Sequence, residues 1–311
     1  MLRSVSSRST GSSLLSEGET CWRSAIATRA TLLIDGDEYF RALRSALLQA
    51  RHQVLIAGWD FDTRTSLPGE AANDDAPTEL GELLGYLIRR RPDLQVHVLR
   101  WDYHWLYADD RERDTQARLE RVGVHFHADA CHPITGCVHH KVVIIDDALA
   151  FCGGMDLTHQ RWDTCRHDEL DPGRCDHTSA RYAPVHDVQL CLSGPIVEVL
   201  ADYVRQQWPV RDRAPKRLTA RHDLWPGNVC IDFRNILAGV SRTLPAAGER
   251  DAVREIETMY LAAIRGTRHS LYLENQYFTS ERIAQAIVEQ LRREKLLEGL
   301  LIGLDQPQTA V

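Results

Sequence analysis

The chain has 311 residues, of which 43% are apolar and 26% charged, and its net charge is −7. That length makes one large or two medium domains, and the acidic balance argues against gripping nucleic acid by bulk attraction. No apolar run approaches the roughly 18–20 residues that a membrane-spanning helix needs. A Ser-rich stretch lies where a signal peptide would carry its apolar core, so the chain reads as cytoplasmic or peripheral to a membrane.

Residues 1–20, poor in apolar side chains, read as a flexible tail. A strand is expected over 31–34, closed by a turn at Asp35-Gly36-Asp37. Between 38 and 52, Phe40, Leu43, Leu47 and Leu48 follow helical spacing, and 54–59 is a buried strand. After a loop of Gly, Asn, Asp and Pro, a helix over 78–91 carries Leu80, Leu83, Leu84, Leu87 and Ile88 on one face and stops before Pro92. Strands follow at 94–99 and 122–126. Alternating strands and helices predict an α/β layered domain.

Residues 161–185 read as a long polar loop, and 186–192 returns to the sheet. Ser193-Gly194-Pro195 opens a helix with Ile196, Val199, Leu200, Tyr203 and Val204 inward. Segment 211–227, basic at its start and containing Pro215, reads as a linker. The pattern then restarts with a helix carrying Val253, Ile256, Tyr260 and Ile264, and a strand at 271–275. A helix with Ile283, Ile287 and Leu291 comes next, then an apolar run at 300–302. His52, Val54, Ile56 and Phe61 recur as His269, Leu271, Leu273 and Phe278 at a constant offset of 217. The chain is therefore read as two copies of one fold, 21–210 and 228–311, the second incomplete. Eight cysteines without repeated spacing, with Cys152, Cys191 and Cys230 in predicted strands, fit buried reduced thiols.

The chemistry gathers on Val138-His139-His140-Lys141, which leads into the β-branched run 142–145 and Asp146. On an extended segment His139 and Lys141 leave the same face, placing an imidazole beside an ammonium. His140 points the other way and is read as structural. Asp146, at the far end of the strand, is expected to anchor it through hydrogen bonds. A second strand, beginning Phe151-Cys152, breaks at Gly153-Gly154, with Asp156 just beyond. Cys165 with His167 and Cys175 with His177 offer zinc-ligand types, but that spacing is not a usual zinc knuckle, and they read as solvated loop residues. No metal or other cofactor is expected.

These residues resemble the HxKxxxxD signature of the phospholipase D superfamily and its Gly-Gly turn. Tyr272-Leu273-Glu274-Asn275-Gln276-Tyr277-Phe278, Arg161-Trp162-Asp163-Thr164 and Pro184-Val185-His186-Asp187 resemble the phosphatidylcholine-type group. The resemblance implies a phospholipase D-like α/β fold, a mixed sheet flanked by helices, duplicated with the second copy truncated. It also implies metal-free phosphodiester cleavage, in which one histidine attacks phosphorus and a second protonates the leaving alcohol.

His139, Lys141 and Asp146 are the expected catalytic set, and Gly153, Gly154 and Asp156 are expected at the substrate. Asp163, Asp168 and Asp171 are candidates for the acid that orients His139. The aromatic stretch 100–105 is a candidate headgroup wall. No second His-x-Lys-x4-Asp occurs in 222–311. The expected partner is a phospholipid at a membrane surface, with self-association a route to a second histidine. The alternatives are a nuclease-like phosphodiesterase acting as a dimer and an inactive fragment.

Overall fold

The computed structural model describes residues 14–68, 75–102, 110–129, 133, 136–208, 214–219, 222–246 and 251–303. The expected tail therefore lies mostly outside the described residues. Two compact units are present. The larger is Ala25–Ala238, and the smaller joins residues 14–24 to 239–303. Among the described residues no helix is long and apolar enough to cross a membrane.

The larger unit is built on a mixed eight-stranded sheet of order β4-β3-β2-β5-β6-β7-β1-β8. Its strands are β1 (Arg23–Ile34), β2 (Gln53–Gly58), β3 (Gln95–Trp101), β4 (His125–Asp129), β5 (Val142–Ile145), β6 (Leu149–Gly153), β7 (Val188–Ser193) and β8 (Phe233–Val240). β2, β3 and β4 run parallel, and β5 pairs antiparallel with both β2 and β6. One face is covered by α1 (Asp35–Gln49) and α2 (Leu80–Arg90), whose Phe40, Leu43, Leu47, Leu80 and Leu84 meet Val143, Ile145 and Phe151. The helix α4 (Ile196–Gln206) packs on β5, β6 and β7. β5, the run of four β-branched residues, is wholly buried as the alternation of its two faces requires.

The structure departs from the sequence reading at several points. There is no turn at 35–37, because β1 passes directly into α1 through Asp35, which takes a φ of +64°. A Cβ on Gly36 would overlap the Arg161 carbonyl, so glycine is required there. The helix α3 (Asp110–Arg121) was not foreseen, since it is charged almost throughout and its Leu119 joins the core. Residue 122 ends that helical stretch rather than opening a strand, and β4 begins three residues later, after Gly123 at φ +90°. The segment read as a linker is part of the larger unit, where Leu224 is 1% exposed and the Leu218 N–H donates to Asp147 at 2.9 Å. Cys137, Cys165, Cys175 and Cys230 are exposed, contrary to a wholly buried set, and the described cysteines are all free thiols.

In the smaller unit α5 (Glu255–Gly266) and α6 (Glu281–Arg293) cover one side of a parallel pair, β11 (Ser270–Glu274) and β12 (Glu298–Ile302). Two short strands precede them, β9 (Thr243–Leu244) and β10 (Val253–Arg254). Leu261, Ile264 and Ala286 form its core, with Leu271, Ile283 and Ile287 against them. Val253 therefore lies in a strand, and Ile256 and Tyr260 face outward.

The sheet carries an acid-sensitive group. His97 on β3 is 7% exposed, stacks on His125 at 4.8 Å, and has no hydrogen-bond partner on either ring nitrogen. Burial first, then His125, His127 and Arg205, push its pKa down to about 4. A folded pKa below the unfolded value near 6.5 means that stability is present above 6.5 and lost as pH falls toward 4. The cost is of order 2–3 kcal/mol. Urea midpoints should fall between pH 6.5 and 4.5, and His97→Gln should flatten that fall. An unchanged slope in the variant would show that His97 does not drive it.

Candidate active site

The hairpin β5–β6 builds the site at both ends. Its two-residue turn is Asp146-Asp147, both at positive φ (51° and 50°), closed by Ala148 N–H to Ile145 O at 3.0 Å. Paired left-handed residues match the twist of the strands, and Asp tolerates that conformation. Asp146 is fully buried and accepts from the N–H groups of Arg51, His52 and Gln53 at 2.7, 2.8 and 2.7 Å. Its carboxylate thus ties the motif hairpin to the start of β2, at the opposite end of β5 from His139. Asp147, also buried, pairs with Arg205 of α4 at 2.8 Å.

At the other end, Lys141 is 6% exposed and sits between two groups. Its Nζ lies 3.4 Å from His139 Nδ1 and 3.0 Å from Asp156 Oδ2. Asp156, itself 3% exposed, also accepts from the N–H groups of Trp59 and Asp60 at 3.0 Å each. Burial pushes the Asp156 carboxyl above its ordinary range, against the pull of Lys141 and the Asp60 N–H. Its two oxygens thus tie Lys141 to the start of the segment after β2.

His139 stands just before β5 on the exposed side of the site. Burial of the ring and then the charge of Lys141 hold its pKa below the ordinary value, while Asp156 and Asp187 oppose them. At neutral pH the imidazole is therefore unprotonated and able to attack. His140 faces away toward Tyr203, with a pKa pushed by burial down to about 4.

Asp187, just before β7, is the carboxylate that sequence reasoning missed. Burial raises its pKa, and it acts electrostatically on both His139 and Lys141. The glycine pair makes room for it, since a Cβ on Gly154 would overlap the Asp187 carboxylate and one on Gly153 would overlap Val188 O. The Gly153 and Gly154 N–H groups are already donated to Lys141 O and Val188 O. A side chain at either position would therefore collide with the segment that carries Asp187 and Val188. Of the three acids expected beside His139, Asp163 is occupied elsewhere, holding Arg174, His167 and the Val185 N–H. Asp168 pairs with Arg166 on the surface, and Asp171 caps the Gly173 N–H.

Cys165 and Cys175 do not gather a metal set. Among the described residues one group has ligand atoms close enough to hold a cation, Asp35 with His167 and His186. Asp35 is fully buried, with Oδ1 2.8 Å from His186 Nδ1 and Oδ2 3.3 Å from His167 Nε2. In the aromatic stretch, Trp101 stacks on Trp59 at 6.0 Å and 18°. Residues 103–105 of that stretch lie outside the described residues.

No family model matches the chain. It is 25% identical over 313 positions to phospholipase D alpha 1 of Vigna unguiculata, covering 75% of this chain and 38% of that protein. It is 24% identical over 370 positions to phospholipase D1 of Saccharomyces cerevisiae, covering 88% of this chain and 20% of that protein. The chain therefore spans well under half the length of these relatives. The fold is similar to that of phosphatidylserine synthase from Haemophilus influenzae Rd KW20, with a TM-score of 0.56 at 12% identity, over 89% of this chain and 62% of that one. The sequence likenesses establish homology to the phospholipase D superfamily in the broad sense.

Proposed function

We propose that the chain carries the first catalytic motif of a phospholipase D that cleaves phosphatidylcholine-like glycerophospholipids at a membrane surface. The products are phosphatidic acid and the headgroup alcohol. The observation that carries the reading is the buried Lys141 held between His139 and Asp156. An unprotonated imidazole attacks phosphorus and forms a phosphohistidine as the bond to the headgroup oxygen breaks. Lys141, a compact cation, stabilises charge on the non-bridging oxygens. Asp187 stabilises the positive charge that develops on the His139 ring. Water then releases phosphatidic acid, or a competing alcohol takes the phosphatidyl group. The proton for the leaving alkoxide comes from the second motif histidine of the superfamily, absent from 222–311 and supplied by self-association or a further segment.

The duplication belongs to this proposal. α1, β2, α2 and β3 match α5, β11, α6 and β12 in order, and both strand pairs are parallel. The equivalent bonds Gln95 N–H to His52 O (2.9 Å) and Glu298 N–H to His269 O (3.0 Å) support it. The test is choline release from phosphatidylcholine vesicles, run beside cleavage of single- and double-stranded DNA. Choline release without DNA cleavage is expected. The reverse pattern would replace this reading with the nuclease-like one.

A further inference from the structure

The imidazole of His139 precedes the β-ladder, so sheet hydrogen bonds do not fix its ring. Lys141 Nζ lies 3.4 Å from Nδ1 and 3.5 Å from Nε2, so it does not select between the two ring nitrogens. A third segment contacts both residues. Trp59, one residue past the end of β2, places its ring 5.7 Å from the His139 ring at 48°, and Lys141 Nζ lies over the same indole at 5.8 Å. The main chain of Trp59 is pinned at the same time, because its N–H donates to Asp156. Gly58 lets this loop close, since a Cβ there would come within 3.1 Å of Asp60 O and 3.3 Å of Asp156 Oδ1. The indole is backed in turn by Trp101, which ends β3 and is 8% exposed.

We propose that Trp59 is a positioning residue, whose indole holds the His139 ring in its attacking orientation and shields one side of it from water. This rests on the reading of His139 as the nucleophile. Two physical effects follow from one ring. Contact with an aromatic face restricts the imidazole, and restricting a nucleophile lowers the entropy lost on reaching the transition state. The same indole removes water from His139, and burial is the leading cause of its lowered pKa. Over the ring face, Lys141 gains a cation–π contact that keeps the ammonium in place between its two partners. The charges acting on His139 are Lys141 on its own segment, Asp156 after β6 and Asp187 before β7. None of them is on β2, so replacing Trp59 changes solvation and orientation without removing a charge.

The test uses the full chain and its Trp59→Leu, Trp59→Phe and Trp101→Leu variants. Two readouts are taken, the titration of His139 in histidine-labelled protein by NMR and the pH profile of kcat/KM on bis(p-nitrophenyl) phosphate. The His139 resonance is assigned by its loss in His139→Gln. Trp59→Leu should move the His139 titration up toward 6.5 and carry the acid limb of the rate profile with it. At pH 8 kcat should fall about tenfold with little change in KM. Trp59→Phe should restore most of the titration and rate, and Trp101→Leu should give a smaller shift in the same direction. If Trp59→Leu fails to fold, the Phe and Trp101 variants carry the test. A His139 titration that does not move in any folded variant would overturn the proposal. A clear shift in a protein whose turnover survives His139→Gln would leave the positioning intact and remove the nucleophile reading.

Discussion

His139→Ala should lower p-nitrophenolate release from bis(p-nitrophenyl) phosphate, a diester that releases it whichever ester bond breaks, by at least about 10³-fold, because it removes the atom that bonds to phosphorus. This substrate isolates the first step. Its leaving group needs no proton, so the missing second histidine does not limit the reading. Lys141→Ala should cost a similar factor, since it deletes the buried cation and leaves Asp156 with an unopposed charge 3% exposed. His140→Ala, on the opposite face toward Tyr203, should have a mild effect. A His139 variant with near-normal release would remove the assignment, because no other group in the described site is placed to do this work.

Asp146→Ala should lower the unfolding free energy by about 3–5 kcal/mol, from the loss of three charge-assisted bonds that are individually worth roughly 1.5–3 and not additive. That is a large part of the 5–15 kcal/mol typical of a whole domain. Two contributions can be separated. Alanine at φ +51° adds a conformational cost that glycine would not, so Asp146→Gly should recover about 1 kcal/mol while still lacking the carboxylate. Asp146→Asn keeps the turn conformation and one acceptor oxygen and should fall between the wild type and Ala. Urea unfolding followed by circular dichroism measures the series. If all three variants unfold at the wild-type midpoint, Asp146 does not anchor the hairpin to β2. The expected effect on the chemical step is smaller, because Asp146 sits at the opposite end of β5 from His139.

The parts of the molecule that local pattern could reveal were those that local pattern makes. β2, β3, β5, β6 and β7 are short apolar runs, and their burial follows from that. α3 was not legible because a helix that contributes little beyond Leu119 to the core shows almost no periodicity. Asp35 looked like part of a turn because a residue at φ +64° that opens a helix has no signature of its own. In the site, His139, Lys141 and Asp146 were legible because spacing along one strand fixes them. The groups that complete the site come from other segments. Trp59 and Asp60 arrive through the β2–β5 pairing, and Asp187 through the β6–β7 pairing. The nearby acids Asp163, Asp168 and Asp171 were the natural guesses by sequence distance. The fold spends Asp163 instead on the buried Arg174, which is 1% exposed. Gly153-Gly154 was the one available signal, since two adjacent glycines mark a place where something must pass close, and Asp187 is what passes.

The most direct measurement traps the covalent intermediate. The full chain is mixed with bis(p-nitrophenyl) phosphate, quenched in denaturant at mildly basic pH within a single turnover, digested and examined by mass spectrometry. One p-nitrophenyl phosphoryl group should be found on the peptide holding His139. It should be lost on brief acid treatment, as a phosphoramidate is, and be absent from His139→Ala. Release of p-nitrophenolate with no adduct on that peptide, or an adduct that survives His139→Ala, would contradict the account.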